Sequence, residues 1–400
     1  MIVKSNPDSI IGFESSYQQK QRQPQLELEH NEPQHQQQQQ QYPYPVKYVT
    51  INTCSSLYRQ WSKTKKSLYK RAIDGLDLLV EYADTIDQCH TDDDDDVNMI
   101  TILALHGAPG SHEDFEPFIQ YFGSKKIRFI APNYPDINIT IQTKVFRHSA
   151  EEKFEYIKDF LRAINVNSID LILSHSSSIY PTVRLLCDQT DVQIKAVAFF
   201  NPVGHRRIQA MRPAWFTEGS VKIYQNKFGR TVYQIFGKGF IKATGTVTVR
   251  PDSMNNVMLS AQTMRYSNYK QLEKYLRKLK ENQIPTLWVC GDNDRLVEKE
   301  IFYEMIEIMD GNDEYNWQKY DCNGKMLTQY QSDSNIKILF FEQGGHYTFH
   351  KFSNEVIKEC DKFLNHILLN RQRNNHKIII IIIITITTTI IIIIMIIIKK

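Results

Sequence analysis

Residues 168–186, SIDLILSHSSSIYPTVRLL, constrain the fold of this chain more than any other stretch. Ile169, Leu171, Ile172 and Leu173 form a short apolar run of the kind that fills a buried parallel strand, and it stops at Ser174-His175-Ser176-Ser177-Ser178. A helical pattern begins near Ile179. A strand that passes through a tight turn straight into a helix brings two backbones close together, so large side chains are excluded two positions either side of the turn's centre. Such a turn stands its central residue, here Ser176, above the sheet edge with its hydroxyl accessible for attack. Glycine is the usual residue at the two flanking positions; serine, the next smallest polar choice, occupies 174 and 178.

Three more loops follow apolar strands and carry chemistry-bearing residues. Met99 to Leu105 runs into His106-Gly107-Ala108-Pro109-Gly110-Ser111, just ahead of a helix expected over Ser111 to Phe122. If Ser176 attacks an acyl carbon, negative charge develops on the former carbonyl oxygen and two fixed backbone N–H groups must point at it. Ala108, freed to turn inward by Gly107, is one candidate donor; Ser177, next to the nucleophile, is the other. Pro109 cannot donate, and Ser111 also suits the N-cap of the following helix. Ile284 to Cys290 ends in Gly291-Asp292-Asn293-Asp294, where an acid could orient a histidine; Asp294 is the first choice and Asp292 the alternative. Ile336 to Phe341 ends in Glu342-Gln343-Gly344-Gly345-His346, where two glycines let the loop fold back so that His346 can act as general base.

Strands at Val46 to Ile51, Leu76 to Tyr82, Ile127 to Ala131 and Ala196 to Phe200 complete the apolar series. Ser149 to Ile164 separates two of them as an amphipathic helix, with Phe154, Ile157, Phe160 and Leu161 at helical spacing and Glu151, Glu152, Lys153 and Lys158 between. Strands alternating with helices predict an α/β fold: a mostly parallel sheet covered by helices on both faces. The alternation lapses between His205 and about Lys280, which reads as a cap insertion at about 205–280. Arg206, Arg207, Arg212, Lys222, Lys227, Arg230, Lys238, Lys242 and Arg250 face only Glu218 there, so this segment is either a solvated exterior or a field that steers an anion. Gly311 to Asn335 reads as a polar excursion, and Asn354 to Leu369 as the closing helix.

Outside this domain, expected over 46–370, composition changes. Residues 1–45 are rich in Gln, Pro, Ser and charge and cannot bury enough apolar surface to offset chain entropy, so a disordered tail is expected. The run Asp92 to Asp96 is read as a solvated loop, with a cation site as the lesser reading. Lys plus Arg (48) and Asp plus Glu (45) nearly cancel, so nothing global points to nucleic acid. The six cysteines have no CxxC spacing, which argues against a structural zinc and for a reducing compartment. The first residues lack the apolar core of a secretory signal. Ile378 to Ile398 is almost wholly isoleucine between basic residues, long enough to span a bilayer as a tail anchor, yet repetitive enough to be a translated simple repeat. A cytoplasmic protein, or one anchored through that segment, is expected.

Over about residues 70–370 the chain resembles the α/β-hydrolase fold, and HGAPGSHEDF, IRFIAPNYP and NPVGHRRIQAMRP are similar to a little-characterised, nematode-type animal α/β-hydrolase family of unknown function. The HG-x-PG pattern also resembles prolyl aminopeptidases. The resemblance implies a triad in the order Ser176, Asp294, His346, a small-molecule acyl substrate (ester, thioester or amide), and no metal or organic cofactor. Serine rather than aspartate at 176 separates the chain from epoxide hydrolases and dehalogenases. The other reading is a catalytically silent hydrolase fold used for binding, since serine at 174 and 178 departs from the family pattern.

Overall fold

Strands buried on both faces demand helices above and below, and that requirement organises the structure. The computed structural model describes residues 42–64, 68–89, 99–188, 190–244, 254–331 and 334–373, with Thr385 and Thr389. The glutamine-rich segment up to residue 41, the run Asp92 to Asp96 and, apart from those two threonines, the segment 378–398 lie outside these residues. Among the described residues no helix is long and apolar enough to cross a membrane.

Twelve strands occur among the described residues: β1 Val46–Thr53, β2 Leu76–Asp84, β3 Thr101–Leu105, β4 Arg128–Pro132, β5 Ser168–Ile169, β6 Leu171–His175, β7 Gln193–Ile194, β8 Val197–Phe200, β9 Thr286–Gly291, β10 Trp317–Tyr320, β11 Met326–Thr328 and β12 Ile336–Phe341. Ten of them form one sheet in the order β1-β2-β4-β3-β6-β8-β9-β12-β10-β11, while β5 and β7 pair separately. The run from β4 to β10 is parallel. Antiparallel pairs occur at the two ends, β1 with β2, β2 with β4, and β10 with β11.

Side chains alternate between the faces with the period of two that a strand imposes. Leu103, Ile172, Val197, Phe199 and Trp288 point to one layer, where helices Ala150–Ala163, Ile179–Cys187, Leu272–Glu281 and Lys299–Ile308 cover them. Ile102, Leu173, Ala198, Phe200 and Val289 point to the other, covered by Phe118, Ile119 and Phe122 of helix Glu116–Ser124 and by a helix over 353–373. Leu272, Leu276 and Leu279 pack into the main core, so the helix at the end of the 205–280 insertion covers the sheet. The other three helices of that stretch, Ala214–Tyr224, Lys227–Thr244 and Met254–Tyr266, have a small core of their own around Val221, Tyr224, Met254 and Met258.

Several local expectations need correction. The packed unit begins at Tyr42, not at 46, because Tyr44 is buried and its hydroxyl meets His112 Nδ1 at 3.0 Å. The polar stretch 311–335 contains β10 and β11; Gln318 and Lys319 disguise a strand whose Trp317 and Tyr320 are buried. The helix expected from Ser111 opens as a 3-10 turn, His112–Phe115, with Ser111 as its N-cap. The segment after β1 folds into helix Ser55–Thr64 and a 3-10 turn, whose Tyr58 hydroxyl donates to Glu152 at 2.9 Å. Glu152 and Lys153, placed by periodicity on a polar face, are therefore buried.

Candidate active site

The elbow after β6 turns at Ser176, whose φ of +54° lies in the left-handed region. For a residue with a side chain that conformation costs on the order of 1–2 kcal/mol and persists only where neighbours enforce it. Here they do. Ser178 Oγ donates to the carbonyl of His106, and Thr182 Oγ1 donates to Ser174 Oγ at 3.0 Å. The two serines at the usual glycine positions are fully buried and each finds a polar partner, so the turn closes without glycine.

The loop after β3 lies directly on this turn. A Cβ added to Gly107 would come within 2.9 Å of Ser176 Cβ and 3.1 Å of His175 Nδ1, so any other residue would push the loop off Ser176. His106 is structural. Its Nδ1–H donates to the Gly107 carbonyl at 2.7 Å and its Nε2 accepts the Tyr134 N–H at 2.9 Å, which requires a neutral ring. Burial pushes its pKa down to about 3. The Ala108 carbonyl accepts from Ser260 Oγ at 2.6 Å, tying this loop to the helical insertion.

The third part assembles beyond β9 and β12. Gly344 and Gly345 take φ of +151° and +64°, and both N–H groups donate to Asn293 Oδ1 at 2.9 and 2.8 Å. Asn201 Nδ2, at the end of β8, donates to the Gly345 carbonyl at 2.9 Å. The loop so held presents His346 with Nε2 2.7 Å from Ser176 Oγ and Nδ1 2.8 Å from Asp294 Oδ2. The other carboxylate oxygen, Asp294 Oδ1, accepts the N–H groups of Leu296 and Val297 at 2.9 and 3.2 Å. Burial alone would raise the Asp294 pKa, but the facing imidazole and these donors outweigh it and hold the group below its ordinary value. Ionised Asp294 can only accept, so Nδ1 carries the proton and Nε2 is left to accept from the Ser176 hydroxyl. Asp292 instead pairs with Lys299 at 3.3 Å, away from the imidazole. The group is nearly enclosed: Ser176 is 6% exposed and the His346 side chain 10%.

The structure thus brings Ser176, His346 and Asp294 into one hydrogen-bonded line and sets Gly107 and His106 beside it. Sequence reasoning missed Asn293, Asn201, His175 and Ser260. Asn293 sits inside the GDND motif between the two candidate acids, and its place there was the one available signal. His175 is buried, its Nε2 donating to the His346 carbonyl at 3.1 Å; burial and the nearby His346 hold its pKa well below the ordinary histidine value. For Asn293→Ala we expect an unchanged fold and a roughly 10- to 100-fold slower reaction of Ser176 with an active-site label, because His346 loses its fixed position; a labelling time course checks it.

A parallel sheet of this strand order, with a serine elbow after β6 and a histidine loop after the last parallel strand of the core, defines an α/β-hydrolase-fold protein. Within that class the chain belongs to the family of alpha/beta hydrolases of unknown function (DUF1057), which matches residues 63–365. An uncharacterized protein of Caenorhabditis elegans is 28% identical over 78 residues, 19% of this chain and 22% of the relative's length. Among solved structures, a thermophilic esterase from Thermogutta terrifontis is similar at 11% identity and a TM-score of 0.48, covering 80% of this chain and 99% of the esterase. A haloalkane dehalogenase from Agrobacterium tumefaciens is similar at 14% identity and the same TM-score, covering 80% and 97%.

Proposed function

We propose that this protein is a serine hydrolase that cleaves an ester, thioester or amide through an acyl-enzyme on Ser176. The observation that carries the reading is the unbroken line Asp294–His346–Ser176, with contacts of 2.8 and 2.7 Å. His346 Nε2 takes the hydroxyl proton as Ser176 Oγ forms its bond to the acyl carbon. Asp294 keeps the ring in the accepting tautomer and stabilises the imidazolium. The oxyanion is received by the N–H groups of Ala108 and Ser177; support for that pairing is the close approach of Gly107 to Ser176. Collapse of the intermediate breaks the bond to the leaving group, which departs with the proton from His346. Water, deprotonated by the same nitrogen, then releases the acid and restores Ser176. The helices of the insertion, joined to the Ala108 loop through Ser260, serve as the cap over Ser176.

The test is a fluorophosphonate probe followed by peptide mapping. Labelling on Ser176, lost in Ser176→Ala protein that retains its thermal transition, is the expected result. A folded protein that takes no label, or takes the same label in Ser176→Ala, would point instead to the binding use of the fold.

A further inference from the structure

We propose that the outward face of the helical insertion is a docking surface for an anionic lipid bilayer, against which the two helices Ala214–Tyr224 and Lys227–Thr244 lie flat. Exposed apolar surface concentrates there. Of fifteen large hydrophobic side chains exposed among the described residues, seven lie between 215 and 236. Trp215 is 74% exposed, Phe228 79%, Ile235 64% and Phe236 67%, with Ile223 and Val232 beside them. At 100° per residue, positions 228, 232, 235 and 236 fall within an arc of about 100°, one continuous stripe along the helix. A scatter of single exposed residues needs no explanation, but a stripe this dense marks an interaction surface.

The stripe is not a core facing the wrong way, because the inward positions are occupied. A Cβ on Gly229 would lie 2.3 Å from the Ile223 carbonyl, so the two helices touch there. The Tyr233 hydroxyl donates to Ser220 Oγ at 2.9 Å. Val221, Tyr224, Met254 and Met258 fill the space beneath. The orientation is fixed and the stripe faces out.

Charge selects the occupant. Glu218 is the one acid between 205 and 250, and Arg207 takes it at 3.1 Å. Arg206 and Arg212 are likewise neutralised, by Glu304 and Glu298. Lys222 and Lys227 are exposed and have no ion pair among the described residues; the helix Lys227–Thr244 also carries Lys238 and Lys242 in its sequence. Cations beside an apolar stripe with Trp and Phe at its edge are what an interfacial helix needs, with the aromatic rings in the acyl boundary and the lysines at the anionic headgroups. A second copy of this chain fits less well, since a two-fold contact through this face would oppose like charges.

The test uses the full-length protein and sedimentation with vesicles of phosphatidylcholine, alone or with one part in three phosphatidylserine. The expected result is binding to the anionic vesicles that weakens as salt rises. We expect it to fall at least about 100-fold in Phe228→Ser/Ile235→Ser/Phe236→Ser and about tenfold in Lys222→Glu/Lys227→Glu, with the thermal transition of each retained because no buried group is touched. Ser176→Ala should bind as well as the parent, so loss of hydrolysis and loss of docking are read separately. Equal binding to both vesicle types overturns the proposal. So does undiminished binding by the apolar variant, which would assign attachment to another segment such as 378–398. A dimer of the parent that the apolar variant converts to monomer, with vesicle binding unchanged, would assign the face to self-association.

Discussion

Asp294→Asn should lower turnover, or the rate of labelling at Ser176, about 10⁴-fold while leaving the fold in place. The size of the effect follows from how position 294 is held. Its Oδ1 accepts two backbone N–H groups, from Leu296 and Val297, which only an oxygen can satisfy. An asparagine must therefore turn its oxygen to those donors and its NH₂ to His346. That NH₂ donates to Nδ1, so the ring proton moves to Nε2 and faces the Ser176 hydroxyl, where a lone pair is required. Distances barely change, yet the base is gone. Asp292→Asn serves as the control and should react at the parent rate, since Asp292 meets Lys299 at the surface. Equal rates for Asp294→Asn and the parent would remove Asp294 from the mechanism.

The same comparison explains what the sequence could and could not convey. Each residue of the line Ser176, Asp294, His346 ends an apolar strand, and strand ends are readable because an apolar run stops at small or polar residues. The choice between Asp294 and Asp292 was open for a physical reason. Both lie in one turn after β9, and only the folded turn aims one carboxylate at the imidazole. Asn201 was illegible as a functional residue, because a single asparagine in a loop has no pattern, and the motif around Asn293 marked its place without showing what it holds. Their partners, Gly344, Gly345 and the Gly345 carbonyl, lie 51 to 144 positions away.

Ser174 and Ser178 show the limit from the other side. By sequence they are departures from a glycine rule that exists to avoid collisions. In the fold they are accommodated by Thr182, on the next helix, and by the His106 carbonyl, 72 residues earlier. Periodicity failed for Glu152 and Lys153 because it assigns one wet face to a helix. This helix is covered on a second side by Tyr58 and Tyr69 of the excursion after β1 and by Tyr134.

Lys153→Met is expected to stabilise the protein by about 3 kcal/mol or more at pH 6, a gain from deleting a charge. Lys153 is 2% exposed, and its ammonium lies 4.4 Å from the centre of the Tyr134 ring. Burial lowers its pKa from 10.5 to about 7. The folded protein then binds fewer protons than the unfolded chain between pH 7 and 10.5, so stability must rise with pH across that window. Below it the charge is buried at full cost, about 5 kcal/mol at roughly 1.4 kcal/mol per pH unit, and methionine escapes this while giving up a cation–π contact worth about 2 kcal/mol. The adjacent Glu152 acts with the opposite sign. Burial raises its pKa to about 7, the folded state holds the extra proton between pH 4.5 and 7, and stability falls as pH rises through that range. The parent protein should thus be least stable near pH 7, with both limbs visible in urea unfolding from pH 4.5 to 10. Lys153→Met should lose the upper limb and keep the lower; Glu152→Gln should do the reverse, because the amide oxygen can still accept from Arg147 and Ser149. A parent curve that is flat above pH 7 would mean that Lys153 keeps its charge in the folded protein up to its ordinary range, so that burial does not lower its pKa. The charge sits behind Tyr134, whose backbone N–H holds His106 under the Ala108 loop. If Lys153→Met is more stable but reacts more slowly at Ser176, the lysine is retained for the loop it backs rather than for the fold.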